Sequence, residues 1–487
     1  MMHSPQGLAV SPPARLSTGV EGLDRILKGG FLRGGSYLLE GPSGVGKTVL
    51  ANQLAFHHAS TGGRTIYMSL LSESYGRLLL HLQGFRFFDE SVIGTEILYL
   101  GGYQALEEGT RSLLDLILRN LHNQSSTLLI IDGLLGIAER TDSLGLRSFL
   151  HELQVHAEIL GCTTLLVSPV GTTEFRPEHS VVDGILRLCR SSQGLRNTRE
   201  LRVQKLRGSA YIGGGHVFEI TGDGFKVAPR TEAALGRNAS PPPEACGRLS
   251  LGVPELDAMA GGGVLEGTST MVLGAPGTGK TVLGLHFLAA VAQEEGRALH
   301  FGFYESPARL IGKAQGVGLP FQELVDKGKL RISWQLPIER PLDFLVEDLL
   351  REVREHHISR LFLDGLDGFR QSAAFPERLE GLFTVVTNEL RSLGVTTLLT
   401  AESATLFGSE VNEPLDGVSA IVENLVLLRY VELHSRVHRM IGILKLRESP
   451  SDSNLRELEI TERGIRLGDT FQGAESLLSG IARMTGR

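Results

Sequence analysis

One stretch of this chain occurs twice. Gly41-Pro42-Ser43-Gly44-Val45-Gly46-Lys47-Thr48 is matched by Gly274-Ala275-Pro276-Gly277-Thr278-Gly279-Lys280-Thr281, and both spell G-x-x-x-x-G-K-T. The copies do not stand alone. Arg15-Leu16-Ser17 returns as Arg248-Leu249-Ser250 and Asp24 as Asp257, at the spacing that separates the two lysines (280 − 47 and 257 − 24 are both 233). Further on, Lys205-Leu206-Arg207 returns as Lys445-Leu446-Arg447 and Glu219-Ile220-Thr221 as Glu459-Ile460-Thr461 (445 − 205 and 459 − 219 are both 240). Order is kept and spacing barely drifts, which means a duplicated domain of roughly 230 residues. A chain of 487 residues is also too long for one ordinary core.

The expected domains are 1–235 and 248–467. Between them, 236–247 contains Pro241-Pro242-Pro243 and several small residues, the composition of an exposed, partly extended linker. A tail follows over 468–487, in which residues 474–484 could form a single helix. Within the first copy, 36–40, 65–70, 127–131 and 163–167 are short apolar runs that read as buried strands, with helical patterns over 47–59 and 144–160 between them. Such alternation predicts an α/β fold with a mostly parallel sheet covered by helices on both faces. Residues 185–188, 201–206 and 217–220 read as antiparallel strands added after that core.

Each G-x-x-x-x-G-K-T stretch follows a predicted strand and opens a predicted helix, the context that makes it a phosphate-binding loop. Its glycines let the backbone curl so that successive N–H groups point at phosphate oxygens, and the helix N-terminus adds positive potential. The candidate binding residues are therefore Gly41, Ser43, Gly44, Val45, Gly46, Lys47 and Thr48, then Gly274, Pro276, Gly277, Thr278, Gly279, Lys280 and Thr281. Lys47 and Lys280 would reach the β- and γ-phosphates of ATP, and the Thr48 and Thr281 hydroxyls would coordinate Mg²⁺. A second Mg²⁺ contact is expected from a carboxylate ending a buried strand. Asp132 and Asp364 fit, each closing an apolar run. Hydrolysis further needs a carboxylate that orients or deprotonates water beside the γ-phosphate. Glu73 and Glu305 are the candidates, at the end of the strand after each P-loop helix; an ordinary solvated loop glutamate is the alternative.

Together these residues resemble the KaiC-like ATPases of the RecA superfamily over nearly the whole chain. The resemblance rests on the R-L-S-x-G-V-x-x-L-D opening, the P-loop, E-S-x-x-R-L at 73–78 and 305–310, and K-L-R followed by E-I-T. It implies two tandem RecA-like domains and a double-ring hexamer with ATP at subunit interfaces. It also implies that Lys205, Arg207, Lys445 and Arg447 act on the nucleotide of a neighbouring subunit. Two cations on a rigid strand suit that task, since they can stabilise phosphate charge in trans. Residues 187–207 hold seven basic side chains and one acidic, so a merely solvated basic hairpin is the alternative.

Two departures from the family pattern matter. KaiC proteins place two adjacent glutamates after the second strand, and here Ser72 and Tyr304 occupy the first position. Slow hydrolysis is expected in both domains, slower in the second. The clock proteins of the family also carry an adjacent Ser-Thr phosphorylation pair in the second domain. Ser419-Ala420 aligns with it here, which lacks one acceptor and argues against an oscillator.

The expected function is thus a slowly hydrolysing, nucleotide-gated oligomeric switch that engages a protein partner these residues do not identify. A Ser/Thr autokinase using Ser419 is one competing reading, and a nucleic-acid motor is another. A motor needs basic loops facing a channel, whereas 401–413 is acidic and 171–179 is mixed; the net charge is −7. Nucleic acid is therefore not the expected partner. His57-His58 and His356-His357 are adjacent residues that face different directions on a helix, which argues against a metal site. Cys162, Cys189 and Cys246 form no C-x-x-C pair, and no signal peptide or apolar run of membrane-spanning length is apparent. A reduced, cytoplasmic protein is expected.

Overall fold

The computed structural model describes residues 14–70, 75–170, 177–193, 196–236, 247–336, 340–403, 422–433, 436–447, 451–470, 474–475 and 483–484. The chain divides into two compact units at Ala233 and Ala234. Each unit is built on a nine-stranded sheet.

In the first unit the strands are β1 (Ser36–Glu40), β2 (Thr65–Ser69), β3 (Ile97–Gly101), β4 (Leu128–Asp132), β5 (Thr163–Ser168), β6 (Gly184–Gln193), β7 (Arg196–Leu206), β8 (Gly215–Thr221) and β9 (Gly224–Ala228). They lie in the order β9-β8-β7-β6-β1-β5-β4-β2-β3. β1, β2, β4 and β5 are buried at every position, as parallel strands covered on both faces must be. Successive side chains divide between the faces. Leu39, Ile130 and Val167 join α1 (Lys47–Ser60) through Leu50 and Leu54 in one core. Leu38, Ile131 and Leu166 join α2 (Thr110–Gln124) and α3 (Ser143–Ile159) through Ile117, Phe149 and Leu153 in the other.

The second unit repeats the plan with β10 (Ser269–Gly274), β11 (Arg297–Gly302), β12 (Leu330–Trp334), β13 (Ile358–Asp364), β14 (Thr396–Glu402), β15 (Asn424–Leu433), β16 (Arg436–Leu446), β17 (Arg456–Thr461) and β18 (Gly464–Thr470). The order is β12-β11-β13-β14-β10-β15-β16-β17-β18. One face carries α4 (Lys280–Ala289), and the other α6 (Leu342–Glu355) and α8 (Leu379–Ser392). Two further helices border the site described below, α5 (Pro307–Gly316) and α7 (Leu366–Ser372).

Three details differ from the sequence reading. β6 is longer than expected and pairs in parallel with β1; only its partner β7 begins the antiparallel part. β3 and β12 extend the parallel sheet where no strand was expected. In the tail, Ala474 and Glu475 pair antiparallel with Met484 and Arg483, so residues 474–484 are not one helix. Gly480 at the middle of that stretch would cost a helix about 1 kcal/mol relative to alanine. The repeated R-L-S…D motif is structural. Arg15 Nη1 donates to Leu27 O and Gly30 O, each at 3.0 Å, and Asp24 accepts from Ser17 Oγ at 2.6 Å and Thr18 N at 2.8 Å. Arg248 and Asp257 repeat this closure in the second unit.

Candidate functional sites at the P-loops

Both P-loops run from the carboxyl end of a central strand, β1 or β10, into α1 or α4. The turn needs glycine at set places. Gly44 and Gly46 have φ of 69° and 118°, and Gly277 and Gly279 have 77° and 106°, a region costly to any residue with a Cβ. The repeated E-I-T acts here as well. A Cβ on Gly46 would lie 2.4 Å from Ile220 Cδ1, and one on Gly279 2.9 Å from Ile460 Cδ1. The isoleucines of β8 and β17 thus pack against the last glycine before each lysine.

Lys47 Nζ donates to Gly41 O at 2.7 Å and Pro42 O at 2.9 Å, and Lys280 Nζ to Gly274 O at 2.8 Å and Ala275 O at 2.9 Å. Each ammonium is folded over its own loop, where phosphate oxygens would replace the carbonyls. Burial lowers the pKa of both lysines, opposed by Asp132 in the first and by Glu402, Asp364 and Asp367 in the second.

Thr48 Oγ1 donates to Asp132 Oδ2 at 3.1 Å, and Thr281 Oγ1 to Asp364 Oδ2 at 3.1 Å. The structure therefore brings each expected hydroxyl and carboxylate together. Both pairs are all-oxygen, the hard donors that Mg²⁺ takes alongside phosphate and water oxygens. Their support differs. Asp132 accepts from Tyr67 Oη at 2.8 Å, whereas Asp364 accepts from Thr400 Oγ1 at 2.8 Å and faces His300 Nε2 at 3.7 Å. Burial alone would raise the Asp364 pKa; the His300 ring and the Thr400 and Thr281 hydroxyls outweigh it and hold the carboxyl low.

The second site opens into a cleft of about 680 Å³ lined by Lys280, Thr281, Tyr304, Glu305, Asp364 and Glu402, among others. Glu305 forms an ion pair with Lys313 of α5. Burial, then Asp367, Glu402 and Asp364, push the Tyr304 phenol up, further from any role as a base. Ser72 and Glu73 lie outside the described residues, as do Ser419 and Ala420.

Lys205, Arg207, Lys445 and Arg447 are not brought to their own P-loops. Lys205 pairs with Ile185, which pairs with Leu38; Arg207 N donates to Asp183 O, and Asp183 N to Ser36 O. Arg207 therefore sits level with the start of β1 and Lys205 with its middle, while the P-loop leaves its far end. Lys445 pairs with Leu425, beside Met271, and Arg447 N donates to Asn424 Oδ1 at 3.4 Å. Lys205 Nζ meanwhile donates to His179 O and Val182 O at 2.8 and 2.6 Å.

A match to the KaiC ATPase family covers residues 16–232 and 249–470, once per unit. The chain belongs to the KaiC ATPase family. The chain is similar to the circadian clock oscillator protein KaiC of Thermostichus vulcanus, at 28% identity over 98% of this chain and 93% of that protein. The KaiC of Picosynechococcus is 27% identical over 97% of this chain and 93% of its own length. KaiC 1 of Synechocystis is also 27% identical, over 96% and 91% respectively.

Sequence reasoning on this KaiC-family ATPase missed three groups at its sites. Arg190 Nη2 donates to Gly44 O at 3.4 Å, and Arg439 Nε to Gly277 O at 3.3 Å, so each P-loop carries an arginine from its β6–β7 or β15–β16 hairpin. These arginines occupy non-equivalent strands, and alignment of the repeats alone conceals their shared role. Glu402 is the third. It ends β14 beside the P-loop strand, a position that its place in an acidic loop disguised. The histidine pairs are held by polar neighbours: His57 by Ser17 at 3.1 Å, His58 by Thr127 at 2.8 Å, and His356 by Glu352 at 3.5 Å. Among the described residues no helix is long and apolar enough to cross a membrane.

Proposed function

We propose that this KaiC-family ATPase is a nucleotide-gated oligomeric switch, which binds Mg·ATP at both P-loops and turns it over slowly. One observation carries the reading. The second cleft gathers Lys280, Thr281 and Asp364, the residues expected to hold phosphate and Mg²⁺, yet its family-aligned glutamate, Glu305, is tied to Lys313. A site that binds well but has its family-aligned glutamate tied up turns ATP over slowly and dwells in its ATP state, which suits switching better than work.

In each unit the loop amides and the lysine would hold the phosphates. Thr48 with Asp132, and Thr281 with Asp364, would hold Mg²⁺, which supplies charge neutralisation across the β- and γ-phosphates. Lys205, Arg207, Lys445 and Arg447, remote from their own P-loops, would complete the site of a neighbouring subunit in a ring, by analogy a hexamer. Ring closure would then report nucleotide state to a protein partner.

The test is ATP binding by single variants of the full chain. Lys47→Ala and Lys280→Ala are each expected to reduce bound ATP from two per chain to one, and the double variant to remove both. Wild-type affinity in the double variant would overturn the assignment.

A further inference from the structure

Glu402 is the acidic group that faces the second P-loop lysine itself. In the sheet, β14 is the parallel neighbour of β10, and Glu402 pairs in register with Gly274, the first glycine of the loop. Its carboxylate is 53% exposed, lines the cleft, and stands 3.8 Å from Lys280 Nζ. That nitrogen is the atom that marks the β- and γ-phosphates. A carboxylate so close to it would come within one water of a γ-phosphate held by that lysine, the reach a general base requires. The other groups at this end of the cleft serve worse. Glu305 pairs with Lys313, Asp364 is engaged by Thr281 and Thr400, Asp367 faces Arg370 at 3.9 Å, and Tyr304 is a phenol.

Among the described residues of the first unit, no carboxylate takes that place on β5. There β1 pairs Glu40 with Ser168, so the residue beside Gly41 is Pro169. The two repeats therefore differ where β5 and β14 reach the first glycine of each P-loop.

From this geometry we infer that Glu402 is the catalytic carboxylate of the second site. Glu402 takes a proton from the attacking water as the water oxygen bonds to the γ-phosphorus. The bond from that phosphorus to the β,γ-bridging oxygen breaks, and ADP leaves with its electron pair. The proton passes from Glu402 to the released phosphate or to solvent. This inference rests on the proposed reading of the second P-loop as an ATP-hydrolysing site.

The experiment uses the full chain carrying Lys47→Ala, which leaves only the second site, with Mg·ATP as probe in equilibrium binding and single-turnover hydrolysis. Adding Glu402→Gln is expected to lower the hydrolysis rate about 100-fold, the low end of a general base's contribution, with ATP affinity held within about 3-fold. Glu402→Asp is expected to restore part of the rate. A Glu402→Gln protein that keeps its rate, or loses rate and ATP binding together, would overturn the inference. So would a parent protein that binds ATP without hydrolysing it. A parent that binds no ATP would instead bring down the reading of the second site itself.

Discussion

The two aspartates beside the P-loop threonines show how a repeated residue can be held by unrelated neighbours. Asp132 leans on the Tyr67 hydroxyl, a group buried among Asn52 and Tyr99, and Asp364 on Thr400. A hydrogen bond to a charged group contributes about 1.5–3 kcal/mol. Tyr67→Phe is therefore expected to raise the Mg²⁺ concentration needed for half-maximal ATP binding about 10-fold in a Lys280→Ala background. Thr400→Val should do the same in a Lys47→Ala background, and an unchanged Mg²⁺ requirement in either would count against those aspartates as ligands. The meetings of Thr48 with Asp132 and of Thr281 with Asp364 were legible from sequence because a P-loop helix starts, and a buried parallel strand ends, at the same edge of the sheet. Tyr67 and Thr400 were not, because any donor arriving from a neighbouring strand suffices.

At the scale of elements, the hairpins β6–β7 and β15–β16 link the ends of the sheet. Toward one end they touch the P-loop through Arg190 or Arg439, and at the other they carry Lys205 and Arg207 or Lys445 and Arg447. Arg207→Ala or Arg447→Ala should leave a folded protein with reduced hydrolysis. Mixing Arg207→Ala with Glu73→Gln subunits should restore activity above that of either alone, since some interfaces then carry both wild-type groups. Mixed oligomers no more active than their components would rule out a contact across subunits. The strands of the parallel core were readable as apolar runs bounded by turns. The parallel pairing of β6 was not, since side-chain periodicity does not encode a strand's direction.

For the whole molecule the question is rate. With Tyr304 where the family has its first glutamate and Glu305 held by Lys313, turnover in the second site is expected to be slow, and slower than in the first. Steady-state hydrolysis by the Lys47→Ala and Lys280→Ala proteins compares them directly. A second-site turnover above about 1 s⁻¹, the low end of typical enzymes, would exclude this kind of switch.

The duplication, both P-loops and the parallel core follow from the sequence by itself, because each is enforced locally. A glycine with positive φ, a lysine at a helix start and a buried strand all leave their mark within a few residues. Tertiary structure alone decided what long-range geometry controls. It set Ile220 and Ile460 against the P-loop glycines, tied Glu305 to Lys313, and put Lys205 and Arg207 away from their own P-loop. It also brought Glu402 beside Lys280 across 122 residues of chain (402 − 280). Strand order and register decide such meetings, and both arise from the packing of the whole sheet.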